Sequence, residues 1–210
     1  MIYRSKDIPF EIREGTSDYW IIDEVVRDDT YFQGFLTIEP GDIVVDIGAY
    51  IGPFSIYAAS LGGKVYAYEP CLENFELLKK NIELNKADVA AFRNGVMGKS
   101  GKMELCIREG YNYGASNFYH PEWVNRQTVQ CITLQDIMKD DNLEHIDFLK
   151  MDCEGAEVEI LENFPLEKIN KISLEYHGNN NRDKILEILK NKFEIKVKGD
   201  HLGIILAKKI

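Results

Sequence analysis

From Gly41 onward the chain alternates between two hydrophobic rhythms. Short, nearly continuous apolar runs at residues 43–47, 64–68, 89–93, 146–151 and 169–176 read as strands. Between them lie segments with the spacing of helices, at 53–61, 72–85, 157–163 and 182–191. In the second of these, apolar residues at 72, 75, 77, 78, 82 and 84 keep close to a 3.6-residue period. Pro53 fits the first turn of the helix it opens. Residues 102–107 and 129–132 predict additional strands. At the end, 193–197 and 203–207 flank Lys198-Gly199-Asp200-His201 as a β-hairpin. Strands that alternate with helices predict a parallel sheet covered on both faces, to which the hairpin adds an antiparallel strand near one edge. Residues 1–40 break the rhythm. Extended pieces at 10–12 and 19–22, a turn at 14–17 and a polar stretch at 26–34 predict an N-terminal cap on one main domain, 41–210.

A chain of 210 residues with 45% hydrophobic content is long enough for one substantial core. No apolar stretch approaches the ~18 residues of a membrane span, and the N-terminal residues carry no apolar signal core. The expectation is a cytoplasmic protein without a membrane partner. Four cysteines, at 71, 106, 131 and 153, show no metal-site spacing and suit reduced, small buried thiols. A net charge of −10 weighs against a phosphate-backbone partner, because nucleic-acid affinity rests largely on Lys and Arg. It favours a small or weakly charged substrate.

The chemistry concentrates in two places. In Val44-Val45-Asp46-Ile47-Gly48-Ala49-Tyr50-Ile51-Gly52 a strand ends in an acid, enters a glycine turn and starts a helix. The next strand ends in Glu69, twenty-one residues after Gly48, where an acidic side chain can take ribose hydroxyls. A pyrophosphate-binding fingerprint would need glycine at 50 and 53, which are Tyr and Pro. Asp46 beside the turn suits a cationic sulfonium ligand, so the pattern points to S-adenosylmethionine. The second cluster is Lys150-Met151-Asp152-Cys153-Glu154-Gly155-Ala156-Glu157, which sets charged groups at a buried strand end. Unpaired charge there is costly, so a chemical role is favoured. A structural reading stands beside it, in which Lys150 pairs with Glu157 and Glu154 caps the following helix. Because ligands on open α/β sheets sit outside the C-terminal strand ends, Asp46, Glu69, Asn94, Asp152 and His177 are expected along one rim.

The stretches DIGAYIGPFSIYAA, YEPCLENFELLKKNIELN and FLKMDCEGAEVEIL resemble the FkbM-type S-adenosylmethionine-dependent methyltransferases, over roughly residues 40–178. GTSD at 15–18 fits the segment ahead of their core. The resemblance implies a class I methyltransferase fold, Rossmann-like, with a mostly parallel seven-stranded sheet and a C-terminal hairpin. It also implies a cofactor site at Asp46, Gly48, Ala49, Tyr50, Gly52, Glu69, Pro70, Asn74, Asn94, Gly95 and Asp152, and methyl transfer to a hydroxyl of a sugar or small molecule. Two positions depart from the family pattern: Tyr50 replaces the usual Asn, and Cys71 stands where a small polar residue is commoner.

A hydroxyl acceptor benefits from a base, and Asp152, Glu154, Glu175 and His177 are the candidates. Alternation sets Ser173, Glu175 and His177 on one strand face. Asp152, Glu154 and His177 are the leading catalytic set. The four together would also offer ligands to Mg²⁺, the lesser reading. The aromatic residues Tyr111, Tyr113, Phe118, Tyr119, His120 and Trp123, in a loop over 108–127, suit acceptor binding, a core anchor or a contact between copies. Two other functions compete: a tRNA-type methyltransferase, which the second stretch also resembles, and a non-catalytic S-adenosylmethionine-binding protein.

Overall fold

The computed structural model describes residues 1–108, 116–119 and 125–210. Its N-terminal residues form a hairpin of β1 (Ile2–Ser5) and β2 (Ile8–Glu11). A short helix follows, α1 (Asp18–Ile22), continued by a π-helical turn over Asp23–Arg27. Helix therefore replaces the extended piece expected at 19–22. The reason is local and tertiary at once. Ile22, Val25 and Val26 recur at helical spacing and are buried in one apolar cluster with Phe10, Phe32 and Phe54, while Tyr19 and Trp20 remain exposed.

The main sheet contains β3 (Ile43–Ile47), β4 (Lys64–Tyr68), β5 (Val89–Phe92), β9 (Ile146–Met151), β10 (Ile169–His177), β11 (Phe193–Gly199) and β12 (Leu202–Lys209). Their order is β11-β12-β10-β9-β3-β4-β5. Pairing is parallel from β10 through β5, and β12 alone runs antiparallel to both its neighbours. The expected terminal hairpin is thus present, with a tighter two-residue turn at Asp200-His201. A smaller sheet joins β6 (Gly95–Val96), β8 (Arg126–Ile132) and β7 (Gly101–Cys106) in that order.

Helices cover both faces. On one side α2 (Pro53–Ser60), α3 (Leu72–Asn85) and the N-terminal residues enclose Val44, Ala67 and Phe148. Phe148 lies in an aromatic cluster with Phe32 and Phe54, at ring-centroid distances of 5.4 and 5.6 Å. On the other side α4 (Leu134–Asp140), α5 (Glu157–Glu162) and α6 (Asn179–Leu189) pack over Val45, Ile47, Leu149 and Ile172. Helix α4 is an addition to the expected elements, and α6 begins three residues earlier than expected. Gly178, at φ +85°, makes the turn that lets α6 start directly after β10.

Candidate active site

At the C-terminal ends of the parallel strands the structure brings Glu69, Asn94 and Asp152 of the expected rim onto one cavity, while Asp46 and His177 are not on its wall. Beyond β3, Gly48 takes φ +75° and Tyr50 φ +55°, so the chain folds back on itself before α2. The loop is held by Gly48 N–H and Ala49 N–H, which both donate to the Tyr68 carbonyl, at 3.0 and 3.1 Å. It also touches the end of β9. A Cβ on Gly48 would lie 1.8 Å from the Asp152 carbonyl oxygen.

Beneath this loop lies a cross-strand ion pair, different from the Lys150–Glu157 pair of the alternative structural reading. Asp46 and Lys150 are register partners on β3 and β9, and their charged atoms are 3.1 Å apart. Lys150 Nζ also donates to the Gly48 carbonyl at 2.8 Å, and Ser55 donates to Asp46 at 2.5 Å. Both charges are buried. Burial alone would lower the Lys150 pKa, but Asp46 and Asp152 outweigh it and keep the ammonium charged. Lys150 therefore does not pair with Glu157. That residue turns back to accept from Cys153 N–H and Gly155 N–H, each at 3.2 Å.

Glu69 stands just past β4, almost fully buried. Its two oxygens accept from Tyr50 N–H at 2.8 Å and Cys71 N–H at 2.9 Å, and Asn74 donates at 3.4 Å. Burial nonetheless pushes its pKa up to about 7, against the lowering effect of those bonds.

A cavity of about 210 Å³ opens over these residues. Gly48, Ala49, Tyr50, Glu69, Pro70 and Asn74 line it, as do Asn94, Gly95 and Asp152. Of the expected cofactor residues, Asp46 and Gly52 are not on its wall. Asp46 sits behind the loop, committed to Lys150 and Ser55, and Gly52 faces the Leu78 side chain.

At one end the cavity is acidic. Glu24, Asp152, Glu154 and Glu175 line it, and His177 lies behind, with Nε2 at 3.3 Å from Glu154 and 3.5 Å from Glu175. Burial first, and repulsion from Asp152 second, push the Glu154 pKa up to about 8 and raise that of Glu175 as well. A cationic ligand would relieve that repulsion, so the donor set fits a sulfonium bearing an ammonium group. Among the described residues, no group of three or more His, Cys, Asp and Glu side chains is arranged to hold a metal.

Several wall residues lie outside what the sequence suggested. Tyr31 donates to Asp152 at 2.9 Å and receives the Lys150 ammonium over its ring at 5.2 Å. Ile21, Glu24 and Val25 also come from the N-terminal residues. Of the aromatic loop, Phe118 lines the cavity and Tyr119 lies against Gly155, 47% exposed. Tyr111, Tyr113, His120 and Trp123 fall outside the described residues.

This sheet order, the single antiparallel strand and the rim cavity define a class I methyltransferase fold. A tRNA (uracil-54, C5)-methyltransferase from Pyrococcus abyssi, solved in complex with S-adenosyl-L-homocysteine, shares it with a TM-score of 0.59 and 15% identity. The match covers 100% of this chain and 44% of that one. The FkbM methyltransferase domain matches residues 46–202, and the chain belongs to that family, one of S-adenosylmethionine-dependent methyltransferases. Curated relatives include the methyltransferase sdnD of Sordaria araneosa, 28% identical over 177 residues, covering 68% of this chain and 67% of sdnD. The hexuronic acid methyltransferase AglP of Haloferax volcanii is 24% identical over 142 residues, covering 67% of this chain and 58% of AglP. No helix among the described residues is long and apolar enough to cross a membrane.

Proposed function

We propose that this chain transfers a methyl group from S-adenosylmethionine to a hydroxyl oxygen of a small molecule or glycan. The observation that carries the reading is the convergence, on one cavity, of the glycine loop, the buried Glu69 and the acidic end formed by Asp152, Glu154 and Glu175. Similarity to a hexuronic acid methyltransferase supports a hydroxylated sugar as acceptor.

When bound, S-adenosylmethionine supplies an electrophilic methyl on a sulfonium. The Gly48-Ala49-Tyr50 backbone and Glu69 would hold it, together with Asn94 and Gly95 on the same cavity wall. Orienting an acceptor against that methyl is worth up to ~7–11 kcal/mol of barrier in favourable cases. Glu154, with its pKa near 8, is suited to take the acceptor's proton near neutrality and to share it with His177 at 3.3 Å. Asp152, held by Tyr31, supplies fixed negative charge beside it.

The test is transfer of labelled methyl to a panel of hexuronic acids, other hydroxylated sugars and, at low salt, tRNA. Labelling of sugar with wild-type protein, reduced ~10²-fold or more in Glu154→Gln at saturating cofactor, is the expected result. Full activity of E154Q would remove Glu154 from the chemistry. Preferential labelling of tRNA would replace the acceptor class.

A further inference from the structure

Ahead of the cavity, a buried ion pair connects the N-terminal residues to the cofactor loop. Arg13 grips Asp18 bidentately, Nε to one oxygen at 3.1 Å and Nη2 to the other at 3.0 Å, and Asp18 is wholly buried. The same guanidinium donates through Nη1 to Asn74 Oδ1 at 2.9 Å. Asn74 in turn donates to Glu69. On the other branch, the Tyr50 hydroxyl donates to Asp18, and the Arg13 guanidinium lies 5.3 Å from the centre of the Tyr50 ring.

The two branches rejoin. Tyr50 N–H and the Asn74 amide both end on the Glu69 carboxylate. The result is a closed circuit, Arg13–Asp18–Tyr50–Glu69–Asn74–Arg13, in which two members lie outside the cavity and three line it. Tyr50 is the residue that departs from the usual Asn of the family, and its hydroxyl is what reaches Asp18. The bidentate geometry fixes orientation as well as distance, which a surface ion pair does not do.

We propose that Arg13 and Asp18 are positioning residues of the cofactor site, acting through Tyr50 and Asn74 on Glu69. The N-terminal residues 13–25 are thereby coupled to cofactor binding: seating them orders the carboxylate, and filling the cavity fixes them in turn. This inference rests on the cavity being the S-adenosylmethionine site. The coupling is reciprocal by thermodynamic necessity. It gives these residues a role distinct from the wall contacts of Ile21, Glu24 and Val25.

Tyr50→Phe isolates the connection, because it keeps the ring against the cavity and removes only the hydroxyl. Titration with S-adenosylhomocysteine, alongside thermal unfolding without ligand and limited proteolysis with and without it, reads the effect. The expectation is a roughly tenfold weaker Kd for Y50F, measured well below the variant's own unfolding temperature so that the folding stability lost with this hydrogen bond does not enter. Asp18→Asn weakens binding further, and Arg13→Lys falls between the wild type and Arg13→Gln. Ligand protects the 1–30 segment of the wild type from protease, and Y50F loses that protection. Affinities within twofold of wild type in both Y50F and D18N overturn the inference. So does weakening that merely follows lost thermal stability. If the wild type itself fails to bind, the cofactor reading falls and takes this inference with it; normal wild-type binding with unaffected variants removes the inference alone.

Discussion

Gly48 is held at φ +75° with its α-carbon facing the backbone of Asp152. Two costs meet there: the left-handed conformation, and a side-chain atom that would overlap the Asp152 carbonyl. Gly48→Ala is expected to destabilise the fold by about 2–5 kcal/mol and to open the loop away from β9. Gly178 provides the comparison. It also has positive φ, but no heavy atom lies within 4 Å of where its Cβ would be, so Gly178→Ala should cost only the backbone strain of its conformation, ~1–3 kcal/mol, and less than Gly48→Ala. Urea unfolding of the two variants checks the difference, and equal losses would remove the close contact as the cause. At this scale the sequence was most informative where residues act near their neighbours in the chain. Gly48 and Glu69 were legible because a strand end, a turn and an acid at a fixed distance form a local pattern. The partners of Asp46, Lys150 and Tyr31 were not. Tyr31 and Asp152 are 121 residues apart, and no periodicity records which side chain will meet which across a sheet.

Among the elements, α4 shows a signal present in the chain but absent from the hydrophobic rhythm. Thr133 accepts from Asp136 N–H at 3.1 Å, and Asp136 accepts from Thr133 N–H at 2.9 Å, a reciprocal cap at the helix start. Seven residues give the apolar period too little length to register, whereas the Thr-x-x-Asp spacing marks the start. Thr133→Ala should lower stability by about 1 kcal/mol and Thr133→Ser should restore most of it, as measured by denaturant midpoint. An unchanged midpoint would mean that packing of Leu134 and Ile137 alone holds the helix. The N-terminal helix is hidden in the sequence for a related reason. A five-residue helix followed by a π-turn has no sustained 3.6 period, and its shape follows from the surface on which it packs. The sheet, by contrast, was readable throughout, because buried parallel strands are continuous apolar runs with turns between them.

For the molecule as a whole, the raised carboxylates make stability depend on pH in a direction opposite to the usual one. Glu69 and Glu154 rise from an ordinary 4.5 to about 7 and about 8 in the folded chain, chiefly through burial. A raised pKa means that the folded state holds the proton more tightly than the unfolded one. The associated stability is complete below about pH 4.5 and is lost as pH climbs through 7 and 8. Asp18 works the other way: burial would raise its pKa, but Arg13 and Tyr50 outweigh that, so its contribution is lost on acidification. Ligand-free protein should therefore melt highest in weakly acidic buffer and progressively lower towards pH 9, with the slope reduced in E154Q. S-adenosylmethionine, being cationic, should bind more tightly as those protons leave. A melting temperature constant between pH 5 and 9 would refute the account.

The contact between Tyr31 and Asp152 has a consequence for how the protein is made. The residues that close one wall of the cavity are synthesised first, yet the strand ends on which they rest come more than a hundred residues later. At about 5–20 residues per second, Tyr31 is added to the chain roughly 6–24 seconds before Asp152. Throughout that interval Phe32, buried in the finished molecule, lacks Phe148 of β9, whose ring centre comes to lie 5.4 Å from its own. The aromatic cluster and this wall of the cavity are thus completed only once β9 has been made, late in the chain, whatever the N-terminal residues have already formed among themselves.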